Sequence, residues 1–182
     1  MISREKAYEL VKENIKQKNL IKHVLAVESV MKALARKLNQ DEEKWGLSGL
    51  LHDLDYEETN NDFENHGKRT VEMLSEYNVP DDIKNAILAH CGKKERETLM
   101  EKAIYAADPV TGFIVAAVLI RKGTTLEDLD LDFLLNRFKE KSFARGASRE
   151  QMESCKDFGM TLEDFLVLSL NAMRDISEEL EL

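Results

Sequence analysis

Four histidines and two aspartates carry most of the chemistry that this sequence can offer: His23, His52, Asp53, His66, His90 and Asp108. Neutral imidazole nitrogens and carboxylate oxygens are the donors that Mn, Fe, Co, Ni and Zn accept. His52 and Asp53 are adjacent, at the end of the apolar stretch "GLLHDLDYEE". Neighbouring residues on a helix point about 100° apart. The two can therefore share one ion only near a helix end, or with the ion between their directions. The remaining four donors are spread over residues 23–108, so a metal site requires several elements to converge.

Those elements read as helices. Apolar residues recur at three- and four-residue steps, and no run alternates as a half-buried strand would. Ser3 caps a charged amphipathic helix reaching about Gln17. The next runs from about Ile21 to Leu38, with Val27, Val30, Leu34 and Leu38 on its apolar stripe and His23 one turn earlier. Asp41 caps a third, from about Glu42 to Leu54. Gly46, Gly49 and Asp53 share one of its faces, and two helical glycines cost roughly 1 kcal/mol each, so a neighbour is expected to approach closely. A polar loop, "YEETNNDFEN", leads to a helix over Glu64–Tyr77. Pro80 opens "DDIKNAILAH", and a further helix covers Arg96–Ala107. Pro109 is expected to reset the chain before the apolar segment Thr111–Ile120. One or two short helices follow, then helices near Arg149–Lys156 and Thr161–Leu180. The whole of 1–182 is expected to form a single domain, with a motif-bearing core over about 18–122 and a C-terminal helical extension over about 123–182.

The order His, His-Asp, His, His, Asp resembles the HD superfamily of metal-dependent phosphohydrolases. The matching stretches are "IKHVLAVE", "LLHDLDYE", "ENHGKRT", "ILAHCG" and "IYAADPVTG". "HDLD" is similar to the bacterial HDIG-type branch, and the two extra histidines resemble members that bind two metals. The resemblance implies an all-α HD-domain helical bundle. It implies one metal on His23, His52, Asp53 and Asp108, with Asp53 bridging to a second on His66 and His90. Asp53 and His52 are then the catalytic pair. The implied reaction is hydrolysis of a phosphate ester or anhydride of a small nucleotide by metal-activated water. A di-iron oxygenase using the same ligands and a non-catalytic nucleotide-binding regulatory module are the alternatives. Two-metal relatives often carry a Lys three residues after the HD aspartate. Tyr56 stands there in this chain, and no GYP motif occurs.

Phosphate needs further positive charge. Lys68 and Arg69, just after His66, and Arg145, within "RFKEKSFARGASR", are the candidate substrate contacts. Asp55 reads as a proton carrier or a loop cap. The net charge of -9 opposes non-specific nucleic-acid binding and is compatible with a small anionic partner. The two cysteines, Cys91 and Cys155, form no disulfide framework and suit a reducing cytoplasm. The N-terminal residues carry no apolar signal region. Phe113–Ile120 falls short of the about 20 residues that a bilayer span needs. A cytoplasmic protein without membrane contact is expected.

Overall fold

The computed structural model describes residues 1–60 and 62–182; Asn61, in the stretch expected as a loop, lies outside them. Ser3 accepts the Lys6 N–H and starts α1 (Arg4–Asn14). The longer α2 (Lys18–Lys37) follows, then α3 (Glu42–Leu51), whose first turn is capped by Asp41 accepting the Lys44 N–H. A turn through His52–Asp55 leads to α4 (Tyr56–Thr59), inside the segment expected as loop. The helix expected over Glu64–Tyr77 is shorter: α5 spans Lys68–Met73 and tightens into a 3-10 turn at Leu74–Glu76. After Pro80 comes α6 (Asp81–His90).

Next, α7 (Leu99–Leu119) opens on a capping box in which Thr98 and Glu101 satisfy each other's backbone N–H groups. It runs unbroken through Pro109, contrary to the sequence expectation. A mid-helix proline removes one backbone bond and costs about 3 kcal/mol. Here α7 packs against α2, α3 and α6, and Val110, Phe113, Ile114 and Ala117 on its far half are fully buried. Burying Val110, Phe113 and Ile114 gains about 1.5–3 kcal/mol each, so packing outweighs the local penalty. Uninterrupted, α7 is long and apolar enough by length and composition to cross a membrane, a test that a buried core helix also passes. In the bundle, 61% of that window is buried.

The chain finishes with a 3-10 turn at Leu126–Asp128, α8 (Leu131–Lys139), α9 (Arg149–Glu153) running into a 3-10 turn at Ser154–Phe158, α10 (Leu162–Arg174) and α11 (Ser177–Leu180). No strand occurs among the described residues. The C-terminal helices share the core: α10 packs on α2 and α7, and the Ser29 hydroxyl donates to the Ala172 carbonyl at 2.6 Å. One apolar cluster joins Ile2 to Leu180.

The glycines of α3 have a packing reason. A Cβ on Gly49 would sit 2.8 Å from the Val27 carbonyl oxygen, and one on Gly46 would meet the Lys32 side chain at 2.5 Å. Without side chains there, α3 lies close against α2. That contact brings His52, at the C-terminal end of α3, toward His23 on α2.

Candidate metal centre

Five side chains from different parts of the chain meet around Asp53. His23 comes from α2, His52 and Asp53 from the end of α3, His66 from the turn before α5, His90 from the last residue of α6, and Asp108 from the middle of α7. The imidazoles pack edge to face, with ring centroids 5.2 Å apart for His23–His52, 4.9 Å for His52–His90 and 5.1 Å for His66–His90.

Asp53 divides them into two groups. Its Oδ2 lies 3.6 Å from His23 Nε2 and 3.4 Å from His52 Nε2. Its Oδ1 lies 3.4 Å from His66 Nε2 and 3.5 Å from His90 Nε2. Asp108 Oδ1 joins the first group, 3.1 Å from His23 Nε2 and 3.9 Å from His52 Nε2. In the second group the two Nε2 atoms are 3.2 Å apart. Ligands about 2.0–2.1 Å from one ion, at right or tetrahedral angles, stand roughly 2.9–3.4 Å from one another. The spacings are near that range. Donor atoms of His23, His52 and Asp108, and of His52, Asp53 and His90, fall within 4.8 Å of each other.

Each histidine is oriented by its other nitrogen. His52 Nδ1 donates to the Gly49 carbonyl at 2.7 Å, and His90 Nδ1 donates to the Ile87 carbonyl. A carbonyl can only accept, so both rings present the Nε2 lone pair to the centre. His66 Nδ1 meets Asp55 Oδ1 at 2.8 Å. The Thr111 hydroxyl donates to the Asp108 carbonyl at 3.0 Å, which leaves its lone pairs for His23 Nδ1 at 3.1 Å. His52 is fully buried, and its Nε2 has no hydrogen-bond partner. A buried, unpaired acceptor facing three other imidazoles and two carboxylates is costly in a protein and natural in a cage for a cation. The donor set fits one or two divalent ions.

The electrostatics agree. Burial lowers the His52 pKa to about 4, against the pull of Asp53 and Asp108. It is neutral at pH 7, as a ligand must be. For His23, burial also acts to lower the pKa, but Asp108 and Asp53 outweigh it and the net shift is upward; Asp53 does the same for His90. Asp53 is held below the usual carboxylate range: burial opposes this, and His52 leads the imidazoles that overcome it. Asp108 is also lowered, with burial opposed chiefly by His23.

Asp55 is the contact that sequence reasoning read least well. It is fully buried. Besides His66, it accepts the Gly67 N–H at 2.7 Å and the Thr70 N–H at 3.0 Å through Oδ2, and its own N–H donates to Thr70 Oγ1 at 3.1 Å. The loop-cap reading of Asp55 describes half of this; the other half is holding His66. Gly67 has φ +79°, and a Cβ there would lie 2.5 Å from Cys91 Sγ, so glycine is required on both counts. Thr111 gave no sequence signal beyond standing three residues after Asp108 on a helix.

A cavity of about 660 Å³ opens over the cage, with His23, Asp53, His66 and Asp108 in its floor. Lys68 and Arg69 do not reach it. Lys68 pairs instead with Glu64 at 2.6 Å, and Arg69 with Glu58 at 2.8 Å and Glu72 at 2.9 Å. Arg145 is exposed, between Ala144 and Gly146, which do line the cavity. Within the same basic stretch, Arg149 is structural: it donates to the carbonyls of Ala147 at 2.9 Å and Phe143 at 2.8 Å and lies over the Phe113 ring at 4.8 Å, bracing the cavity wall.

An all-helical bundle with this donor cage is the architecture of a metal-dependent phosphohydrolase domain. A family model described as the HD domain matches residues 20–112, and the chain belongs to that superfamily. It is 28% identical over 166 residues to a Ribonuclease Y of Thermoanaerobacter pseudethanolicus, covering 90% of this chain and 33% of that protein. It is 28% identical over 177 residues to a Ribonuclease Y of Latilactobacillus sakei, covering 90% and 32%. With a Ribonuclease Y of Desulforudis audaxviator it shares 30% over 140 residues, covering 72% and 26%. The chain thus spans about a third of the length of these relatives. No solved structure matches it.

Proposed function

We propose that the chain hydrolyses a phosphate ester or anhydride bond in a nucleotide-bearing substrate, using one or two divalent ions from among Mn, Fe, Co, Ni and Zn. The observation that carries this reading is the division of four imidazole nitrogens between the two oxygens of Asp53, with Asp108 beside the first pair. A bound dication supplies water with a pKa of about 7 and polarises phosphoryl oxygens. His23, His52 and Asp108 would hold one ion, His66 and His90 the other, and Asp53 would set their separation. The neutral His52 imidazole keeps its lone pair available at pH 7. The cavity above the cage leaves the outward side open to substrate.

The relatives' name, ribonuclease, supports RNA as one source of such a bond. A net charge of -9 gives no long-range pull on a polyanion, so recognition would depend on contacts inside the cavity. The test is metal analysis of the purified protein, with a panel of nucleotide and phosphoester substrates and the variants His52→Ala and Asp53→Ala. Metal-dependent turnover that both variants lose is expected. Turnover retained in both, or oxygen consumption by an iron-loaded form without phosphate release, would overturn the reading.

A further inference from the structure

Among the described residues that line the cavity over the cage there is no lysine or arginine. Apart from the cage, it is walled by neutral groups. On one rim stand Tyr56 and Phe63, 51% and 74% exposed, and the Tyr56 ring meets the His66 ring edge-on at 5.8 Å. On the other side lie Gly112 and Ala116 of α7, with Ala144, Gly146 and Ala147.

Gly112 differs from the glycines of α3. A Cβ there would meet nothing within 4 Å, and its backbone is ordinary helix. It stands one turn after Asp108, on the side of α7 that faces the cavity. A mid-helix glycine lowers stability relative to alanine, and no neighbour in the bundle requires it. What its bare surface does is leave a slot between α7 and the aromatic rim.

We infer that this slot takes a single phosphate ester carrying one unpaired nucleobase, with the base against Tyr56 and Phe63, in preference to a polyphosphate chain. Two features support this. Exposed aromatic rings beside a phosphate site are the usual platform for an unstacked base. A triphosphate brings several negative charges, and beyond the ions the described lining residues are Asp53, Asp108 and neutral groups, with Arg145 exposed in the loop beside them. The inference rests on the phosphoester chemistry proposed above, for the substrate, and on the cavity walls, for its selection.

The test uses two esters with the same leaving group: the 4-nitrophenyl ester of a nucleoside 5′-monophosphate, and methyl 4-nitrophenyl phosphate. With Mn-loaded protein, kcat/KM is expected to favour the nucleoside ester by about five- to hundredfold, the usual worth of stacking one base. A nucleoside triphosphate is expected to be at least tenfold poorer. Tyr56→Ala, Phe63→Ala and the cavity-filling Gly112→Leu should shrink the nucleoside preference, mainly through KM, at undiminished metal content. An unchanged preference in all three variants, or a triphosphate used as well as the ester, would overturn the inference. A short single-stranded oligonucleotide separates the two sources of this chemistry: cleavage places the base in a strand, whereas refusal with ester turnover places it in a free nucleotide. Calorimetric titration of Mn-loaded protein with a nucleoside monophosphate and with methyl phosphate judges the platform without turnover. Tighter nucleotide binding that Phe63→Ala loses supports it even if hydrolysis fails, and equal binding of the two ligands refutes it even if hydrolysis succeeds.

Discussion

On one side of Asp53, His23, His52 and Asp108 are carried by α2, α3 and α7, helices packed on one another in the core. Their orienting partners are local: the Gly49 carbonyl for His52, and Thr111 for His23. On the other side, His90 closes α6, but His66 precedes a six-residue helix and is held through one carboxylate, Asp55. The first group is as rigid as the bundle. The second depends on a buried acid that ties His66, Gly67 and Thr70 together. The lesson is that a two-part cage can join halves of unequal robustness, with Asp53 common to both.

The largest effect should come from the shared residue. Asp53→Ala is expected to lose both ions and reduce turnover to background, measured by metal content and ester hydrolysis. If one ion stays bound with full affinity, Asp53 does not join the halves. Next comes Asp55→Asn, which keeps the shape but turns an amide NH₂ toward a ring or backbone donor. It should weaken the second ion by about 10–100-fold, the usual consequence of removing a ligand's orienting partner, while leaving the first in place. Equal weakening of both in a metal titration would erase the contrast. Thr111→Val is the mirror experiment. It should cost the first ion about tenfold at most, since α2 still positions His23.

Acid should act through particular rings. In the metal-free protein His52 stays neutral until about pH 4, whereas His23 and His90, raised by their aspartates, hold protons at higher pH than a free imidazole. Metal must displace those protons, so affinity falls as pH drops toward and through the raised pKa values. Proton NMR of the four imidazoles, read beside metal titrations at several pH values, checks both parts. The smallest effects separate two kinds of glycine. Gly49→Ala should destabilise by about 1–3 kcal/mol through overpacking against the Val27 carbonyl. Gly112→Ala should stabilise by about 0.5–1 kcal/mol, a rise of roughly 2–4 °C or less in Tm.

Much of this was legible along the chain, because helical periodicity and capping act over a few residues. Ser3 and Asp41 start helices as read, and Val27, Val30 and Leu34 are fully buried. Pro109 was misread because its penalty is local and the packing that overrides it is not. Lys68 and Arg69 follow His66 in sequence but pair with Glu64 and Glu58 outside the cavity lining, which adjacency could not show. Arg149 reads as one more surface cation until its loop carbonyls are in place around it.

By itself, the order of residues determined which donor atoms exist, that they ride on helices, and that a cation is their natural common partner. Only the tertiary structure decided which nitrogen of each ring faces inward, which oxygen of Asp53 serves which group, and that Asp55 and Thr111 stand behind them. Donor chemistry belongs to single residues and helix period to a few neighbours. Convergence is set by how α2, α3, α6 and α7 pack, through contacts between residues up to 88 positions apart.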